Sequence, residues 1–167
     1  MIDRRILIAV CTAEVLSMAG YAGVAAILPD FIRLWSLTNA EAGWISGIYF
    51  AGYTLAVPLL VSMTDRVDPR RIYLAAMALS AASSLGYAFF ADGFWSAFAF
   101  RALGGIGLAG TYMPGLKMLS DRTSDEKRAR VVGIYTAAYS AASSLSFVFV
   151  GVVEELLDWR WAFGLGG

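Results

Sequence analysis

The chain is 167 residues long, 59% apolar and 16% charged, and its 13 basic and 13 acidic side chains cancel. The apolar share exceeds the roughly 45–50% of ordinary domains, and a net charge of zero gives no bulk field to gather nucleic acid. There is no histidine, which removes histidine acid–base chemistry and the commonest metal ligand; the single Cys11 can form neither an internal disulfide nor a thiolate zinc site.

In chain order the apolar runs are 6–28, 42–63, 72–90, 94–116 and 131–153, each 19 to 23 residues long. At 1.5 Å per residue each rises about 28–35 Å, which matches a hydrocarbon core of roughly 30 Å. None alternates polar and apolar residues, so transmembrane strands are excluded. The sequence predicts an all-α membrane protein with five transmembrane helices and the start of a sixth near residue 159, together forming one partial domain over residues 1–167. The first run is too long for the 7–15-residue core of a cleaved signal and carries Glu14 at its middle. Val10 before Cys11 is not the small residue that a lipoprotein cleavage site prefers.

Helix-start chemistry marks the edges. Thr38 with Glu41, and Thr123 with Glu126, have the spacing of a capping box. Asp68-Pro69 places an acid before a proline at the first helical position, and Asp92 and Asp158 are expected to cap the fourth and sixth helices. Pro58 and Pro114 are candidate kinks. Small residues at four-residue spacing (Gly43, Gly47, Ala51; Ala78, Ala82, Gly86) predict faces of close helix approach.

Orientation follows from the basic residues of the short loops. The N-terminus and the loops 64–71 and 117–130 hold ten Lys or Arg, against Arg33 and Arg160 on the other side. That asymmetry predicts a cytoplasmic N-terminus. Trp35, Trp44, Trp95, Trp159 and Trp161 then all fall at the outer interface. Compact loops suit a bacterial inner membrane.

Two ionisable residues lie deep within the spans, Glu14 in the first and Arg101 in the fourth. A central Arg costs roughly 2.5–3.5 kcal/mol on insertion, so such a residue faces a partner or a wet cavity. By helical rise, Glu14 lies about 12 Å from the cytoplasmic start of its helix and Arg101 about 10 Å from the outer start of its own, roughly 8 Å apart along the membrane normal. Two readings follow: a proton or substrate site, with Arg101 tuning Glu14 or holding an anion, or a static ion pair that fixes packing. The fourth run also contains Gly105-Ile106-Gly107-Leu108-Ala109-Gly110, a literal G-x-G-x-x-G, but with no preceding strand it is read as helix packing and not as a dinucleotide site. No cofactor or metal is expected.

Three stretches resemble one family. Loop 61–74, with Asp65, Arg66, Arg70 and Arg71, is similar to the G-x-L-a-D-r-x-G-r-r loop of the major facilitator superfamily, with Val61 and Asp68 where that family prefers glycine. Arg101-Ala-Leu-Gly104-Gly105-Ile-Gly107 resembles its R-x-x-q-G-x-g motif, with Gly104 in place of Gln. Asp158-Trp159-Arg160-Trp161-Ala-Phe163 resembles the turn ahead of its sixth helix. The resemblance implies the amino-terminal portion of a secondary transporter that works by alternating access, with Glu14 and Arg101 on the substrate and proton path. It also implies a conformational latch at Asp65, Arg66, Arg70 and Arg71 and a helix-four glycine motif at Gly105 and Gly107. The expected partners are a small polar or organic-anion solute, protons, the bilayer and the missing C-terminal half, with no nucleic acid. The alternatives are a truncated membrane protein of structural or regulatory role and a membrane-embedded enzyme; without histidine and with two buried charges, no catalytic cluster can be assembled. A cavity between two halves implies that the 167 residues alone do not transport. Proton-driven solute uptake by the purified chain in liposomes would contradict this.

Overall fold

The computed structural model describes residues 4–166; residues 1–3, at the expected cytoplasmic N-terminus, and Gly167, in the expected sixth helix, lie outside the described residues. The described residues form seven helices and no strand: α1 (Arg4–Ser17), α2 (Gly23–Leu34), α3 (Asn39–Met63), α4 (Pro69–Phe90), α5 (Phe94–Asp121), α6 (Asp125–Leu156) and α7 (Trp159–Gly166). Three of them, α3, α4 and α6, are long and apolar enough to cross a membrane. α5 is longer than two of these, but Arg101, Lys117 and five glycines dilute its apolar character.

The first apolar run differs from expectation. Residues 6–28 are not one helix: the chain leaves α1 at Ser17 and re-enters α2 at Gly23. Between them the backbone tightens into i→i+3 bonds, from Ala19 N to the Leu16 carbonyl, Tyr21 N to Met18 and Gly23 N to Gly20. Glycine inside a helix costs about 1 kcal/mol relative to alanine, so Gly20 and Gly23 weaken this stretch. The side chain of Ser146 then clamps it, donating to the Ala19 carbonyl at 2.7 Å and accepting from Ala22 N at 3.0 Å. A buried break in a membrane helix needs such substitute partners. A second irregularity, non-helical dihedrals at Ile27, lies two residues before Pro29. Helices α3 and α5 run continuously through Pro58 and Pro114, so neither proline breaks its helix.

Three of the expected caps form as predicted. Thr38 and Glu41 make a reciprocal capping box at α3, and Asp68 accepts from Arg70 N ahead of Pro69 at α4. Asp158 accepts from Arg160 N at 2.8 Å. The expected box at Thr123 is absent: Ser124 takes the N-cap position of α6, and the Thr123 hydroxyl donates backwards to the Leu119 carbonyl at 2.6 Å. At α5 the N-cap is Gly93, while Asp92 is held by the Ser96 hydroxyl at 2.7 Å.

Helix α5 packs along both α3 and α4, and its glycines allow this. A methyl group added at Gly105 would collide with the Tyr49 carbonyl, and one at Gly52 would lie 2.6 Å from the Ala102 carbonyl. Added at Gly107, it would strike the Ser80 hydroxyl of α4. The expected small-residue face of α3 is different: Gly43 and Gly47 are exposed, with nothing near their Cβ positions. The face that packs is one rotated from it, carrying Tyr49, Gly52 and Ala56. On α4, Gly86 packs against Phe100 while Ala78 and Ala82 stay exposed.

At the end of the bundle opposite the 64–71 loop, aromatic rings tie α2, α4 and α7 together. Phe31 stacks on Trp35 at 4.6 Å, Tyr87 on Phe163 at 4.3 Å, and Trp159 meets Phe31 edge-on at 5.1 Å. Large apolar side chains such as Leu55, Phe89 and Trp95 point outward, as a lipid-facing surface requires.

The glycine contacts make a signed prediction. Gly52→Ala and Gly105→Ala should each lower the melting temperature of the detergent-solubilised chain, because the added methyl meets main-chain oxygen. Gly43→Ala and Gly47→Ala should hold or raise it, since alanine favours helix by about 1 kcal/mol and nothing is displaced. Thermal melts of the four variants check this.

Candidate solute and proton site

The break between α1 and α2 lies one turn beyond Glu14. The Ser17 hydroxyl at its edge donates to the Glu14 carbonyl at 2.9 Å. The Glu14 carboxyl group itself is fully buried. Its Oε2 accepts from the Tyr135 hydroxyl of α6 at 3.0 Å, while Oε1 is buried without a hydrogen-bond partner. The buried Tyr73 hydroxyl also lacks one. Burying an ionised carboxylate with one hydrogen bond and no cation is costly.

Arg101 is 8% exposed on α5. Its guanidinium carbon lies 4.1 Å above the centroid of the Tyr49 ring, and its Nε is buried with no hydrogen-bond partner. A cation over a tyrosine face is attracted by the ring quadrupole. Arg101 lines a cavity of about 30 Å³ together with Gly104, Tyr87, Ser80 and Ser84.

The structure does not join Glu14 and Arg101. Among the described residues ion pairs join Arg33 to Asp30, Lys117 to Asp65 and Asp121, and Arg128 to Asp125, and none joins Glu14 to Arg101. Each charge takes a tyrosine instead, Tyr135 for the acid and Tyr49 for the base. Tyr135, Tyr49 and Tyr87 were not predicted from the sequence. The available signal was that all eight tyrosines lie in or beside the apolar runs, with Tyr135 and Tyr139 one turn apart.

In the loop, Asp65 pairs with Lys117 of α5 at 3.5 Å, and Lys117 reaches Asp121 at 3.9 Å. Arg66, Arg70 and Arg71 are exposed. Gly105 and Gly107 are packing positions against α3 and α4. Among the described residues no group of three His, Cys, Asp or Glu side chains is placed to hold a metal.

Comparison with known proteins bears on the whole arrangement. The family model described as Major Facilitator Superfamily matches residues 10–167. The chain belongs to the major facilitator superfamily. Similar members include the probable sphingolipid transporter spinster homolog 1 of Arabidopsis thaliana, 26% identical over 77% of this chain and 26% of that protein. Protein spinster homolog 1 of Rattus norvegicus is 24% identical over 96% of this chain and 32% of its own length, and the niacin transporter NiaP of Acinetobacter baylyi 24% over 86% and 33%. The chain therefore spans a third or less of the length of these superfamily relatives.

The arginine–tyrosine contact is testable on its own. Tyr49→Phe keeps the ring and should melt close to the parent, while Tyr49→Leu should lose about 0.5–2 kcal/mol of stability, the value of a partly desolvated cation–π contact. Equal melting of the two variants would count against the contact.

Proposed function

We propose that the chain is the amino-terminal part of a secondary active transporter that moves a small polar or organic-anion solute together with protons by alternating access. The observation that carries the reading is Glu14: a carboxyl group fully enclosed within the helices, held by one tyrosine hydroxyl and with no cation beside it. Such a group changes charge with little local rearrangement, and a change of charge in a membrane interior shifts the balance between two conformations. Arg101, with no carboxylate partner, supplies attraction for an anionic solute. The superfamily membership supports transport, and the niacin transporter among the relatives suits a small organic acid.

The same reading includes five membrane crossings, with α1 and α2 as two halves of one crossing, and α7 as the start of a sixth. α7 ends at Leu165 and Gly166, which line a groove of about 790 Å³ between α1, α4 and α6. Further helix is proposed to fill that groove in a carrier as long as the relatives. A C-terminal half would complete the solute cavity, with the N-terminus cytoplasmic in a bacterial inner membrane. Asp65, Arg66, Arg70 and Arg71 act as a latch between halves. No cofactor or enzymatic step is invoked.

Vesicle uptake by the complete carrier under an imposed pH gradient tests the reading. Glu14→Gln should leave solute exchange measurable but abolish its response to the gradient. Arg101→Ala should abolish uptake or raise its KM at least tenfold. Undiminished, gradient-driven uptake in both variants would overturn the proposal.

A further inference from the structure

The cavity beside Arg101 has a donor set that no described residue answers. Its wall is made by Arg101 and Gly104 of α5, by Ser80, Ser84 and Tyr87 of α4 and by Gly20 in the helix break. The Arg101 Nε and the Tyr87 hydroxyl are both buried and without hydrogen-bond partners. Two other serines on the wall are committed: Ser83 donates to the Phe100 carbonyl at 2.6 Å and Ser17 to the Glu14 carbonyl at 2.9 Å. The uncommitted polar groups are thus a guanidinium and three hydroxyls, all able to donate. No carboxylate lines the cavity. The Tyr49 ring covers one side of the guanidinium with only the partial negative charge of its face.

A buried cation that lacks a counter-charge is expensive, and its unmade hydrogen bonds add to the cost. One small anion answers both. It supplies the charge, and it can accept from Nε and the Tyr87 hydroxyl, the two buried groups left without partners. Size selects strongly, because about 30 Å³ has room for one or two water-sized groups. The absence of a side chain at position 104 preserves that space, since a Cβ there would lie 3.0 Å from the Ser83 hydroxyl and 3.2 Å from the Tyr49 ring. We infer that the chamber between Arg101 and Tyr87 is a binding site for one small monovalent anion, either a free halide or the carboxylate head of a solute. The inference deepens the Arg101 part of the proposed function and does not involve Glu14.

The test is melting of the purified chain in detergent at neutral pH and constant ionic strength, with sodium gluconate exchanged for sodium bromide or sodium formate up to about 200 mM. Gluconate is too large for the chamber. Bromide, formate or both should raise the melting temperature by about 2–4 °C over gluconate, as ligand linkage requires of a site with a Kd of about 50 mM. A response to bromide identifies the halide site, and a response to formate alone identifies a carboxylate-head site. Arg101→Gln should remove the response. Tyr87→Phe, which keeps the ring stacked on Phe163, should at least halve it and decides the matter should Arg101→Gln not fold. Identical melting in all three salts, or a response undiminished in Tyr87→Phe and in any folded Arg101→Gln protein, would overturn the site. Glu14→Gln should leave the response intact, so failure of the anion site and failure of proton coupling are separately visible.

Discussion

The contact between the main chains of α3 and α5 is what the rest of the arrangement depends on. Lipid offers helices no hydrophobic reason to associate, so close backbone approach through small residues has to hold them. Here Gly52 admits the Ala102 carbonyl and Gly105 admits the Tyr49 carbonyl. Tyr49 consequently has two roles. Its main chain lies against Gly105, and its ring lies beneath Arg101, one helical turn away on the same helix. A bulkier residue at 105 would push Tyr49 outward and take the aromatic face from under the guanidinium. The glycine motif and the buried charge are therefore one structural device: the packing positions hold the electrostatic ones.

Glu14 and Arg101 stay apart, each beside its own tyrosine. An ion pair within the bundle would satisfy both charges and fix them, at the desolvation cost that buried pairs carry. With a tyrosine for each, neither charge is cancelled, and each remains responsive to what enters the bundle. The break after Ser17 adds to this. Ser17 is bonded to the Glu14 carbonyl, and two and five residues on, at Ala19 and Ala22, the backbone is held by Ser146 in place of its own helical ladder. Under the proposed function, a proton on Glu14 acts next to the least regular stretch of the chain, where the backbone already relies on a side chain from another helix. Short 3₁₀ stretches within helices are common places for hinges.

Much of this was legible in the sequence, and the parts that were not share a cause. Chain-local chemistry read correctly: the Thr38–Glu41 box, Asp68 ahead of Pro69, and the helix ends near residues 63, 90 and 94 all depend on neighbours within a few positions. The break at 18–22 was hidden because the apolar run continues through it, and its stabilising partner, Ser146, lies 124 positions from Ala22. Choosing Gly43 and Gly47 over Gly52 failed for a similar reason. Four-residue spacing identifies a small face, but which face meets a neighbour depends on helix rotation. Charge positions were visible from composition alone. Their tyrosine partners were not, because an expensive charge signals that it needs company without saying what kind.

The loop at 64–71 shows how a motif and its energetics can diverge. The resemblance groups Asp65 with three arginines, yet in the folded chain the acid turns to Lys117 at the end of α5, and the arginines remain exposed. An exposed pair of this kind contributes roughly 0–1 kcal/mol, too little to hold a bundle together. It is, however, of the right size for a contact that has to break and re-form. Asp65 sits just beyond the C-terminus of α3, where the helix dipole already favours a cation, so an arginine from elsewhere could replace Lys117 with little net cost. Under the proposed function, a weak, exchangeable acid beside three exposed arginines suits a latch between two moving halves, whereas a buried, fully satisfied pair would hold one state and resist the other.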